Sequence, residues 1–196
     1  GEPWKIVSFS IYGFSLVLLF VASTLHHSIH SSPAVEERLR MLDYAAIFPL
    51  IAGTFTPLSL VFYHDSVIGW SFFSVIWALS LAGMALIFSL FGTVPKWMSM
   101  TLYITIGWLG AFMAYWLLPV VGVEGMGLMV LGGLFYTVGG YIYSVEWPNP
   151  IPGFFGFHEI WHIAVILGAA SHWLLMYIYV LPWESNAAEA DDANLR

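Results

Sequence analysis

The sequence offers chemistry at a small set of residues. His158 and His162 stand four apart in a stretch that reads as helix. Both rings therefore leave one helical face and can grip one ion. A second group lies far earlier in the chain, with Ser23, His26, His27 and His30 close together and Asp43 a little further on. There are no cysteines, so any metal must be held by His, Asp or Glu. Zinc suits imidazole and carboxylate ligands in a tetrahedral shell, and imidazole also suits copper, nickel and iron. A third histidine from the early group would leave one position open for water, the pattern of a catalytic zinc. Ser23 lies one turn before His27 and faces the same way. Asp43 is of a type that can orient the water or take its proton.

These groups must be positioned by apolar helices. The chain has 196 residues, 60% hydrophobic and 9% charged, with five Lys and Arg against twelve Asp and Glu. Mean hydropathy is +0.83. An average soluble domain is about 45–50% apolar and about 25% charged, so a soluble enzyme and a disordered chain are excluded. Nucleic acid is excluded as a partner because no basic stripe is present to meet phosphate. A spanning helix takes roughly 20 apolar residues. Such runs occur six times, at about 6–28, 44–63, 67–91, 97–118, 123–145 and 157–182. The expected fold is an all-α polytopic transmembrane bundle over residues 1–183, followed by an acidic disordered tail at 184–196. Continuous apolar runs do not fit a barrel, whose strands alternate. Trp4, Tyr63, Trp70, Trp97, Trp147 and Trp183 fall near span ends, as interface belts require.

Arg38, Arg40 and Lys96 share one side of the membrane, while Lys5 and Arg196 lie on the other. The positive-inside rule puts loop 29–43 in the cytoplasm and the C-terminus outside. The end of the first span, the start of the second and the start of the sixth then meet at one cytoplasmic face. Three sequence-distant clusters of ligand-type residues share one depth. His172 falls roughly 15 Å beyond His162 along its helix, too deep for the same shell, and is expected to be buried and hydrogen-bonded. His30 and His64 read as interfacial residues. His158-Glu159-Ile160-Trp161-His162 also spells H-E-x-x-H, which on a helix can hold zinc with the glutamate as base. The string is short, and no later aspartate-bearing ligand segment follows it, so a protease is not adopted.

Three strings together carry a resemblance. Ser23-Thr-Leu-His-His27-Ser matches an S-x-x-x-H element. Leu42-Asp43-Tyr44 through Thr56-Pro57 resembles L-D-H-x-A-I-x-x-L-I-A-G-T-Y-T-P, with Tyr44 at the histidine position and Phe55 at the tyrosine. Trp147-Pro-Asn-Pro through His158-Glu-Ile-Trp-His162 matches a third element. The chain resembles the hemolysin III branch of the progestin and adipoQ receptor superfamily, to about Pro182. The resemblance implies a seven-helix bacterial inner-membrane protein with zinc near the cytoplasmic face; this chain supplies six spans and starts at what resembles the loop before the second helix. His27, His158 and His162 would be the ligands, Asp43 would bind or activate the metal water, and Ser23 would be a polar partner. Adiponectin-receptor relatives are associated with ceramide hydrolysis. The expected function is zinc-dependent hydrolysis of a lipid amide, with membrane lipids as surroundings. The rival is a non-enzymatic sensor or pore-forming protein with structural zinc. A haem protein is disfavoured because axial histidines sit deep and opposed between helices.

Overall fold

The computed structural model describes residues 2–184. Positions 185–196, nearly all of the expected acidic tail, lie outside the described residues. The described chain is helical: α1 Glu2–Ser28, α2 Pro33–Tyr63, α3 Val67–Leu90, α4 Lys96–Trp108, α5 Ala114–Val145 and α6 Phe157–Leu175. A 3-10 turn at Leu109–Met113 joins α4 to α5, and a π-helical turn at Met176–Val180 ends α6. The expected all-α class holds.

Five helical runs are long and apolar enough to cross a membrane, against the six expected. The difference lies in the expected fourth and fifth spans, which form one run over Lys96–Val145. Its only non-helical residue is Gly122, at φ 68° and ψ −178°. That backbone region is strained for a side chain and open to glycine. Around this break the chain doubles back. Ile104 lies against Gly140, Trp108 Nε1 donates to Thr137 Oγ1 at 2.9 Å, and Gly110 approaches Met129. Partner numbers fall as the first rise, so residues 104–110 and 129–140 run antiparallel.

Helix α2 is the axis of the bundle. Ala45, Phe48, Ala52, Leu58 and Val61 along it are fully buried, and it packs mainly on α1 and α3. Its prolines, Pro49 and Pro57, each remove one backbone donor. Hydroxyls along it fold back onto the helix: Thr54 Oγ1 donates to Leu50 O, Thr56 Oγ1 to Ala52 O and Ser59 Oγ to Phe55 O. Small residues let helices approach closely, as expected without a hydrophobic drive between helices in lipid. Gly53 meets Ser15 of α1, Gly83 of α3 seats the Phe48 ring, and Gly139 of α5 meets Ala164 of α6. Phe14, Phe112 and Tyr141 point outward and are exposed, as lipid-facing side chains of a bundle should be. The α6 helix packs mainly on α5, and its first turns face the end of α1.

Candidate metal centre

Two helix ends build the site. The last turn of α1 carries His26 and His27. The first two turns of α6 carry His158 and His162. The start of α6 is fixed by its preceding loop. Asn149 Oδ1 accepts the Phe157 N–H at 3.3 Å, and Glu159 Oε2 accepts the Gly156 N–H at 2.8 Å. Both bonds satisfy donors that a helix start leaves without intrahelical partners. Glu159 is therefore held as a capping residue. The zincin-type reading of the H-E-x-x-H string has no support from its carboxylate.

Four residues apart on α6, His158 and His162 present their Nε2 atoms 3.1 Å from each other. His27 Nε2 reaches both, at 3.4 Å from His158 and 3.2 Å from His162. Three imidazole nitrogens thus converge on one point. They cannot all satisfy one another. Each neutral ring nitrogen either donates or accepts, and in a closed triangle some lone pairs must face lone pairs or some N–H groups face N–H groups. A cation at the centre removes the conflict. The spacing suits one: nitrogens at about 2.0–2.1 Å from a tetrahedral ion stand about 3.3–3.4 Å apart. The donor set and its geometry can hold a metal ion.

A second set adjoins it. One ligand-type atom each from His26, His27 and Asp43 lies within 4.8 Å of the others. Ser23 stands beside the Asp43 carboxylate. His26 keeps a buried Nδ1 without a hydrogen-bond partner among the described residues. The residues picked out from sequence, Ser23, His27, Asp43, His158 and His162, are all brought to one end of the bundle.

A cavity of about 740 Å³ begins there and runs inward. Ser23, Asp43 and the three histidines line its head, and Leu19, Ile47, Met126 and Val165 line its apolar body. His172 lies at its far end, buried, with Nε2 donating to Met129 O at 3.1 Å. That is the role expected of it. His64, at the opposite end of the bundle, stacks on Trp4 with ring centres 5.2 Å apart.

Sequence reasoning missed two tyrosines. Tyr44 and Tyr143 share a hydrogen bond of 2.9 Å between hydroxyls, and both line the cavity head. The Tyr143 ring also packs on His158, with centres 5.5 Å apart, and on Trp161. Tyr143 sits at the end of α5, at the same membrane face as the histidines. Its position alone could not separate it from an interfacial tyrosine, since both occur there.

Comparison with known proteins bears on the strings that border this centre. The haemolysin-III related profile matches residues 1–173. The chain belongs to the haemolysin-III related family. It is similar to Hemolysin-3 of Bacillus cereus, 38% identical over 94% of this chain and 80% of that protein. The Hemolysin-3 homolog of Bacillus subtilis is 35% identical over 91% and 80%. A heptahelical transmembrane protein of rice, ADIPOR3, is 30% identical over 92% of this chain and 47% of its own length. These relatives tie this haemolysin-III related chain to the wider superfamily that its three motifs resemble. It is a membrane protein by family and by its apolar helices.

Proposed function

We propose that this chain is a zinc-dependent hydrolase of a lipid amide of ceramide type, held in the bacterial plasma membrane. The observation that carries the proposal is the convergence of three histidine Nε2 atoms at the head of a long apolar cavity. In this reading the chain crosses the membrane six times, with Lys96–Val145 turning back at Gly122. Loop 29–43 lies in the cytoplasm, and the C-terminus lies outside.

His27, His158 and His162 would hold the zinc. When bound, zinc supplies a Lewis acid for a carbonyl oxygen and brings the pKa of water towards about 7. The protein's own part is placement and proton handling. The cavity body takes the acyl chain, so the amide carbonyl stops at the histidines. Asp43 stands where it can take a proton from the attacking water and return it to the leaving amine nitrogen. Ser23 would be a polar partner beside the Asp43 carboxylate. The products balance as a fatty acid and an amine. The apolar walls keep bulk water away, which strengthens each polar contact at the head.

A second reading rests on the packing. Helix α1 packs mainly on α2 and α6 mainly on α5, so an ion held by His27, His158 and His162 would staple the first helix to the last. In that reading zinc is structural and the protein is a sensor or pore. Asp43→Asn separates the two. Hydrolysis requires the variant to keep its metal and lose lipid-amide turnover, about 100-fold or more for a general base. If neither wild type nor variant turns over any ceramide-like amide, while metal removal lowers the melting temperature, the staple stands instead.

A further inference from the structure

Arg40 is the feature that the centre described above leaves without a role. It lies one turn before Asp43 on α2, on the same face, and lines the mouth of the cavity. Its guanidinium sits over the Phe91 ring, 5.2 Å from the centroid. That contact places the group at the end of α3.

Besides Asp43, which belongs to the centre, Arg40 has two acidic neighbours on its own helix that would normally take its N–H donors. Glu36 stands four residues earlier, the spacing and order that favour an ion pair on a helix surface. It is engaged elsewhere, with Glu36 Oε1 accepting the Ser31 N–H at 3.1 Å. Glu37 turns towards Gly92 at the α3–α4 turn. Among the described residues the one ion pair is Lys96–Glu146. Arg40 therefore stands at the mouth with a planar donor fork and, among the described residues, no carboxylate on it. A guanidinium in this state suits two-pronged recognition of a carboxylate or phosphate.

The position selects which half of a substrate it would meet. With an acyl chain in the cavity body and the amide at the three histidines, the amine half points out through the mouth. One helical turn outward, about 5 Å along α2, is Arg40. The geometry points to substrates that are N-acylated amines carrying an oxyanion on the amine side, a carboxylate or a phosphate, with Arg40 as the specificity-determining residue. This inference rests on the lipid-amide reading above for the placement of the acyl chain.

The test uses three amides with one acyl chain: N-lauroylglycine, N-lauroylethanolamine and the phosphate ester of the latter. Equilibrium binding and turnover are measured in parallel on the metal-loaded protein in neutral detergent. The anionic amides are expected to bind, and to show KM values, about tenfold or more below the neutral one, as one charged hydrogen-bond pair implies. Arg40→Gln should collapse that ratio towards one at unchanged metal content, and Arg40→Lys should restore only part of it. Preference for the phosphate over the carboxylate, or the reverse, names the source of the oxyanion. Equal affinity for all three amides overturns the proposal, and so does a preference that survives Arg40→Gln. If turnover is absent but Arg40-dependent binding of the anionic amides persists, the hydrolase reading fails and the anion site stands. If all three are hydrolysed with equal KM, the reverse holds.

Discussion

Helix α6 carries three histidines with opposite fates. His158 and His162 point ring nitrogens at each other and at His27, with no arrangement of protons that satisfies all three. His172, ten residues further on, donates Nε2–H to the Met129 carbonyl and needs nothing else at that nitrogen. All three line one cavity on one helix. The difference teaches that a histidine inside a membrane helix is no signal by itself. A ring answered by a carbonyl is packing; three rings answered only by each other call for a cation.

The largest expected effect tests that contrast directly. His158→Ala and His162→Ala should each lose bound metal from the purified protein, as read by elemental analysis, and His27→Ala should do the same. His172→Ala should keep it in full. Metal retained in the first three variants would remove the centre; metal lost in the fourth would remove the contrast. Chelation comes next in size. An ion that binds only the folded protein stabilises it by about 2.7 kcal/mol at a free concentration of 100 Kd. Stripping it should lower the melting temperature of the wild type and leave that of His158→Ala unmoved. Equal shifts in both would mean that the chelator acts elsewhere.

The contrast was partly legible in the sequence. The spacing of His158 and His162 fixed a shared helical face, and counting spans brought His27 and Asp43 to the same end. The depth of His172 followed from helix rise alone. What stayed hidden has physical reasons. Glu159 sits in a string that reads as a catalytic base, yet it occupies the third position of a helix whose first amides need acceptors, and the cap wins. Only the loop geometry reveals that. The Tyr44–Tyr143 bond joins residues 99 apart, and no local pattern announces such a pair. The two expected spans form one run because the break between them, inside the turn read at Pro119 to Glu124, is the single residue Gly122. Arg40 was counted for topology only; that its helix neighbours decline to pair with it is a tertiary fact.

A smaller effect is expected at the quiet histidine. Hydrogen bonds between membrane helices average about 0.6 kcal/mol and reach about 1.7 kcal/mol. His172→Ala should therefore lower stability within that range plus the cost of a small cavity. Gly132→Ala attacks the same contact from the other side, because an added methyl group would meet the His172 ring. Both variants should lower the melting temperature at unchanged metal content. A Gly132→Ala protein with wild-type stability would show that the ring has room to move, and that His172 is less fixed than its carbonyl bond implies.

The smallest effect belongs to Lys96, which closes the same end of the bundle as the metal centre. Its Nζ lies 2.6 Å from Glu146 Oε1, with both side chains about half exposed at 47% and 53%. An exposed pair of this kind contributes about 0–1 kcal/mol. The same ammonium lies 5.5 Å from the Tyr143 ring centre and 6.0 Å from that of Phe157, worth about 0.5–1 kcal/mol at an exposed site. Two substitutions decide which interaction matters. Glu146→Gln removes the ion pair alone, whereas Lys96→Met removes both and keeps the apolar stem. Salt screens the exposed pair first, so Glu146→Gln should cost little and less still at high ionic strength. Lys96→Met should cost more, by up to about 1 kcal/mol, because Tyr143 then loses the charge over its ring. Equal losses in the two variants would leave the ion pair as the clamp between the α3–α4 and α5–α6 loops. An unequal loss makes Tyr143 the joint between that clamp and His158, whose ring it packs against.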